Sequence, residues 1–389
     1  MLFQTIDDKS ECIGIYANGN LHFDNFPTDL THTWKYTGSV IADAEYAWLY
    51  GGGQSLLEVC PESLAPDLKA AQRKMAAYQK SFKIAKINLN EHCIFDLVPH
   101  DFLTHMCDLK NQIAEHVFNN YERPLNYDHL VEVDKLLHKI RYQRLNLNLD
   151  GCKELLYSTG QRTKAQELCR SYLYIDYRLY GTVTGRLTTN KNSFPVLTIA
   201  KQFRKLIKPN NDLFVSLDYN GAEIRTLIEL SGQEQPQEDI HEWNARNLFS
   251  EPLLRKDAKA RFFAWLYDPS STDIETEHYN REKILDKWYV DGYINTPYGR
   301  SIEVEQRKAF NYLIQSTTAD RVLAKAVLID RLLKNKKSYI SHIMHDEIVI
   351  DYSDEERSLI GEIKEIFEDG YMSSVHGGKT YFDLEDLKI

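Results

Sequence analysis

The chain has 389 residues, 43% hydrophobic and 27% charged, enough to bury two or three subdomains and ordinary for a soluble globular protein. No apolar run reaches the ~18 residues of a membrane span, and the opening MLFQTIDDKSEC lacks the basic start and apolar core of a signal peptide. The formal net charge of −10 argues against a polyanionic partner only if it is evenly spread, and it is not. Lys69, Arg73, Lys74, Lys80, Lys83 and Lys86 form one run without an acid. Arg178, Arg186, Lys191, Lys201, Arg204, Lys205 and Lys208 form a second, between Asp176 and Asp212. Such runs are most often solvated faces; the alternative is a track for a polyphosphate. The cysteines at 12, 60, 93, 107, 152 and 169 contain no C-x-x-C pair, so reduced thiols are expected, with neither a zinc site nor a disulfide.

Residues 1–62 read as short strands and turns. IGIYANGNLHF alternates on either side of Asn18-Gly19, a hairpin signal. GSVIADAEYAWLYGGGQSLLEV offers further strand candidates around Gly51–Gly53. Residues 63–175 turn helical: Phe102, Met106, Leu109, Ile113 and Val117 share one stripe, and Pro124 breaks the pattern before another helix. From 176 the text is mixed. LFVSLDY reads as a strand, a helix opens at NGAEIRTLIELSG, and a helical block covers 239–267. An amphipathic helix, a turn at NTPYGRS, a helix over 305–335, a strand pair over 340–352 and a helix over 354–368 complete the order. This is an α+β protein with helices inserted between strands.

Acids interrupt apolar text twice. YISHIMHDEIVIDYS places His345, Asp346 and Glu347 between residues suited to a core, and LFVSLDYNGAEIRTL ends a strand at Asp218 with Glu223 following in a helix. Buried carboxylates are costly unless a cation compensates them. Asp218 alone reads equally as a helix cap. Paired with Asp346 it can bridge two Mg²⁺ ions, the arrangement of in-line nucleotidyl transfer. In EPLLRKDAKARFFAWLYDP, Arg255, Lys259, Phe263 and Tyr267 recur every four residues, a stripe about 18 Å long at ~1.5 Å per residue. Its cationic half followed by its aromatic half matches the order polyphosphate, sugar, base. The competing view is an ordinary amphipathic helix with aromatics in the core and cations in water. RLYGTVTGRLTT adds Arg186, and RKAFNYLIQSTTADRVLAKA adds Asn311 and Gln315 on one helix face, donors and acceptors suited to minor-groove edges.

In this order the five segments resemble the family A DNA polymerases of the bacterial and phage polymerase I type. TVTGRLTT resembles the family's TGRLSS segment, LDYNGAEIRTLIELSG its motif A, RKDAKARFFAWLY its motif B, AFNYLIQSTTADRVLAKA its N-x-x-x-Q helix, and IMHDEIVID its motif C. The likeness runs from about residue 178 to the C-terminus. It implies a right-hand fold: an antiparallel palm sheet, helical fingers and thumb, and a small β-rich segment in front. The boundaries are 63–175 for the thumb, 176–231 and 305–389 for the palm and 232–304 for the fingers. It further implies that Asp218 and Asp346, with the Tyr219 carbonyl, hold two Mg²⁺ ions, Mn²⁺ being a substitute. Glu347 would support them and His345 would lie near the primer terminus. Lys259, Arg255 and His241 would hold the triphosphate, and Phe263 would stack near the sugar and discriminate against dideoxynucleotides. Glu223, held by Tyr267, would block a ribose 2′-OH. Arg186, Asn311 and Gln315 would touch the primer–template minor groove, and Arg225 would support the motif A helix.

The departures are also informative. NKNSFPVLTIAKQF puts Val196, Leu197 and Ile199 where the family carries amides, so duplex-shape checking is expected to be weaker. Asp268-Pro269 follows Tyr267, and only 27 residues separate Tyr267 from Asn295, so the fingers tip is expected to be trimmed. Asp43-x-Glu45 has the form of a first exonuclease motif, but no matching N-x-x-x-D or Y-x-x-x-D precedes the thumb, so these read as ordinary strand-edge acids. The reading is a monomeric, template-directed DNA polymerase acting on primer–template DNA and dNTPs without 3′–5′ proofreading. It would be cytoplasmic, of a bacterial host if phage-encoded, with a separate exonuclease or processivity protein as partner and no membrane. A catalytically silent clamp is opposed by the presence of Asp218, Asp346, Lys259 and Arg255. A single-subunit RNA polymerase is opposed by Glu223, and a nuclease on Asp43 and Glu45 by the lack of further acids.

Overall fold

The computed structural model describes residues 1–387 except 10–11, 24, 39, 41–42, 90–91, 250, 269–270, 272–273 and 275–276. It divides into two compact units, Met1–His138 and Lys139 onward. Pro269, at the expected fingers tip, lies outside the described residues.

In the first unit, strands β1 (Phe3–Lys9), β2 (Cys12–Ala17) and β3 (Asn20–His22) form an antiparallel meander. Asn18 and Gly19 turn the β2–β3 hairpin with φ of 49° and 79°, the left-handed pair a tight hairpin needs. Strands β4 (His32–Thr33) and β5 (Glu45–Tyr46) pair in parallel, and a parallel bridge from Leu2 to His32 sets them beside β1. The unit thus holds a three-stranded sheet in the order β3-β2-β1 and a separate two-stranded pair, β4-β5. Around Gly51–Gly53 the chain is not a strand: Ala47–Tyr50 forms a helical turn, with Ala47 and Leu49 buried, and the three glycines turn out of it. Glu45 accepts from Tyr50 Oη (2.9 Å) and faces His32 and Arg123, while Asp43 is exposed.

Helices α1 (Ala65–Ile84), α2 (His100–Asn120) and α3 (Tyr127–Arg141) follow. Phe102, Leu109, Ile113 and Val117 of the α2 stripe are buried, as their spacing requires, and Pro124 lies between α2 and α3. The expectation of six free thiols fails at Cys12 and Cys93, which form a disulfide; Cys60, Cys107, Cys152 and Cys169 are free. Tertiary contacts create this pairing across 81 residues. Ile94 N donates to Asp7 Oδ2 (2.7 Å), and Phe95 packs on Phe23 with ring centroids 4.1 Å apart.

The second unit is built on β6 (Leu213–Tyr219), β7 (Tyr339–Met344), β8 (Glu347–Tyr352), β9 (Ser373–Gly378) and β10 (Glu385–Asp386). They form one antiparallel sheet in the order β7-β8-β6-β9-β10. Central β6 is buried on both faces from Phe214 to Leu217, which explains its continuous apolar text. Strands β9 and β10 carry no alternation in SSVHGG or ED and were not legible as strands. Helices α4 (Ala222–Leu230), α5 (Ile240–Asn247), α6 (Arg255–Tyr267) and α7 (Arg281–Trp288) follow β6. A small three-stranded antiparallel sheet, Tyr289–Val290, Tyr293–Asn295 and Ser301–Glu303, precedes α8 (Gln306–Leu332). Helix α8 packs on α4, α7, β7 and α9 (Ile360–Glu368) and is buried around most of its girth. Val196 and Ile199 are buried, so these apolar replacements serve the core.

Candidate active site

A cavity of about 300 Å³ opens where β6, α4, α6, α8 and the β7–β8 turn converge. Asp218 reaches it from the end of β6, and Asp346 from the two-residue turn between β7 and β8. Register explains the meeting. Asp218 pairs with Glu347 across β6 and β8, so the turn residue Asp346 projects beside the β6 end. His345 also lines the cavity and holds a φ of 58°, a left-handed conformation uncommon for a residue with a Cβ.

The electrostatics are those of a site built for cations. Burial pushes the Asp218 carboxyl up to about 7, the charges of Asp346 and Glu347 push it the same way, and Lys259 opposes them. Two clustered carboxylates in a partly desolvated cavity with one ammonium leave excess negative charge, and carboxylate oxygens are the donors that Mg²⁺ prefers. The residues present fit such an ion. His241 lines the same cavity; burial and then Lys259 push its imidazole down to about 4, so it is neutral at physiological pH.

Helix α6 decides between the two views of its stripe. Ala258, Phe262, Trp265 and Leu266 face the core, whereas Lys259 and Tyr267 are exposed and Phe263 half-buried. The 255/259/263/267 stripe is thus the outer face, not the core face. Lys259 Nζ lies 5.9 Å from the Phe263 ring centroid, and the Phe263 and Tyr267 rings lie near-parallel with centroids 6.1 Å apart. Lys259 and Phe263 line the cavity.

Glu223, on the first turn of α4, closes one side. Tyr267 Oη donates to its Oε2 (2.8 Å) and Arg186 pairs with its Oε1. Gln315 hydrogen-bonds to Tyr267 from α8. Arg186 therefore meets Glu223 and lines the cavity.

The structure brings Arg186, Asp218, Tyr219, Glu223, His241, Lys259, Phe263, His345 and Asp346 to one cavity. Arg255, Tyr267, Glu347, Asn311 and Gln315 are not in its lining. Arg255 forms a fork to Asp239 through Nε (3.1 Å) and Nη2 (2.7 Å). Asn311 lines a separate space of about 340 Å³ with Leu266, Arg281 and Phe310. Arg225 is fully buried and donates to the carbonyls of Asn220, Pro236 and Glu238, fastening α4 to the segment before α5.

Two residues that sequence reasoning passed over connect these parts. Asn220 donates to Asp239 Oδ2 (2.7 Å) and accepts from Ile240 N (2.9 Å). Asp239 caps α5 by accepting from Glu242 N (2.9 Å) and also receives Arg255. The chain Asn220–Asp239–Arg255 thereby joins the strand that carries Asp218 to the helix that carries Lys259. Gly221 beside it has a φ of 70°, and a Cβ there would meet Ile240 Cγ2 at 2.5 Å, so only glycine fits the bend.

No protein-family model matches the chain. Among curated proteins it is 29% identical over 257 residues to the thermostable DNA polymerase I of Thermus aquaticus, 52% of this chain and 31% of that one. It is 26% identical over 237 residues to DNA polymerase I of Chloroflexus aurantiacus, 47% and 25% of the two chains. With DNA polymerase I of Borreliella burgdorferi the figures are 23% over 338 residues, 65% and 37%. The chain spans about a third of the length of these relatives. Among solved structures, the POL domain of Pol1 from M. smegmatis, in complex with DNA primer-template and dNTP, shares the fold. The TM-score is 0.55 at 16% identity, over 73% of this chain and 76% of that one. By sequence over about half its length and by its α+β polymerase fold, the chain is a relative of the family A, polymerase I type DNA polymerases.

Proposed function

We propose that the chain is a template-directed DNA polymerase that adds dNTPs to a primer 3′-OH. The observation that carries this is the convergence of Asp218, Asp346, Lys259, Phe263 and Glu223 on one cavity. Residues 63–175 serve as thumb, 176–231 and 305–389 as palm and 232–304 as fingers. Asp218 and Asp346, with the Tyr219 carbonyl, would hold two divalent cations. When bound there, Mg²⁺, or Mn²⁺ in its place, supplies Lewis-acid polarisation of the hydroxyl and phosphate oxygens.

The chain's own residues do the rest. Lys259 neutralises charge on the triphosphate, and the neutral His241 offers a hydrogen bond without adding to that charge. Phe263 provides a flat surface for sugar and base, and Glu223, pinned by Tyr267 and Arg186, leaves no room for a 2′-OH. Arg255 would reach the triphosphate only by leaving Asp239, so its present role is to hold α6 on the Asp239 cap.

We infer further that the chain does not proofread. Glu45 is occupied by Tyr50, His32 and Arg123, and Asp43 stands exposed, so no acid cluster forms on them among the described residues. A primer–template assay with each dNTP singly tests both statements. Incorporation should follow the template base, and a mismatched 3′ end should persist with Mg²⁺ present. Untemplated addition would refute the first, and shortening of the mismatched primer the second.

A further inference from the structure

Glu347 belongs to the H-D-E turn, yet it is absent from the cavity lining that contains His345 and Asp346. Both of its oxygens are engaged elsewhere. Ser216 Oγ donates to Oε1 (2.5 Å), and Tyr381 Oη donates to Oε2 (2.7 Å). Ser216 lies two residues before Asp218 on β6, on the same face of the strand. Tyr381 comes from the segment after β9, far along the chain.

The Tyr381 hydroxyl is placed by everything around it. The residue is 1% exposed, and its backbone N donates to Ile207 O (3.1 Å). Its ring stands edge-on to His342 with centroids 4.6 Å apart, and the Arg204 guanidinium lies 4.9 Å from the ring centroid. The same Oη is 3.3 Å from Met344 Sδ, and Met344 is the residue paired with Glu347 across the turn. Both residues that flank the two-residue turn are therefore gripped by one buried phenol, while His345 inside it is held left-handed.

We propose that Glu347 is an anchor rather than a metal ligand, and that Tyr381 and Ser216 are positioning residues. Through Glu347 they fix the turn that presents the Asp346 carboxylate to a divalent cation. Glu347 still contributes its charge to the cavity, without coordinating. The proposal rests on the reading of Asp218 and Asp346 as a cation site, and it gives the C-terminal segment a part in that site.

The test measures Mn²⁺ binding to the full chain by the loss of the free-ion EPR signal, alongside primer extension and thermal melting. Asp346→Asn should abolish binding. Tyr381→Phe should weaken it roughly tenfold, as removal of a group that orients a ligand typically does, with little change in melting temperature. Glu347→Gln, which keeps a hydrogen-bonding shape, should lose no more than Tyr381→Phe. If Tyr381→Phe does not fold, Ser216→Ala removes the other hydroxyl and should act in the same direction. Glu347→Gln behaving like Asp346→Asn, or Tyr381→Phe binding Mn²⁺ as tightly as wild type, would overturn the proposal. So would a wild-type chain that binds no Mn²⁺. Wild type that binds Mn²⁺ but extends no primer would sink the polymerase reading and leave the anchor standing.

Discussion

Asp218 is a carboxyl whose ionisation the fold opposes, because burial and then Asp346 and Glu347 raise it to about 7. A folded-state value above the unfolded one contributes stability at low pH, and that contribution is lost as pH rises from about 4 through about 7. Metal-free Asp218→Asn should therefore melt above wild type at pH 8, by roughly 2–4 °C if ~2 kcal/mol of repulsion is removed. The difference should vanish near pH 4, and added Mg²⁺ should stabilise wild type only. A variant that melts below wild type at pH 8 would mean that Asp218 is better satisfied than its surroundings indicate. Glu223 is the second residue with a separable role. With Tyr267 and Arg186 holding its carboxylate, Glu223→Ala should raise ribonucleotide incorporation about tenfold or more relative to deoxyribonucleotide. Unchanged selectivity in single-nucleotide competition would place the sugar gate elsewhere.

At the scale of elements, the helical period carried the most information. Four residues at i, i+4, i+8 and i+12 in α6 had to share a face, and only the choice between core and solvent was left open. The structure closes it, since Phe262 and Trp265 take the core and leave Lys259 and Phe263 to the cavity. Strand β6 and the β7–β8 hairpin were legible for a similar reason: long apolar runs with an acid at their ends. Tyr381, Ser216 and Asp239 were not, because their roles depend on partners 34, 131 and 16 positions away, which no local period encodes. The Cys12–Cys93 disulfide was hidden in the same way.

The first basic run now has an element to belong to. At 100° per residue, Lys69, Arg73, Lys80 and Lys83 fall within about 80° on α1, all four are exposed, and no acid interrupts them. If this face lies along duplex DNA as part of the thumb, replacing the four with alanine should weaken primer–template binding. It should also flatten the log–log salt slope by as much as ~3–4. Extension at saturating DNA should stay near wild type, and an unaltered salt slope would return the run to an ordinary solvated face.

Across the whole molecule, the order of elements and the site agree. A five-stranded antiparallel sheet brings Asp218 and Asp346 together from segments more than a hundred residues apart, with α6 and α8 closing the cavity over them. The first unit's β3-β2-β1 meander and its β4-β5 pair were announced by no motif beyond the Asn18-Gly19 turn. The central claim is that these two aspartates perform metal-dependent nucleotidyl transfer. Single-nucleotide extension of a primer–template by wild type and Asp346→Ala, with DNA affinity measured in parallel, tests it most directly. The account predicts template-dependent extension by wild type, loss of roughly a thousandfold or more in the variant, and DNA affinity little altered. Extension by Asp346→Ala at the wild-type rate, or none by wild type with Mg²⁺ and dNTPs present, would contradict it.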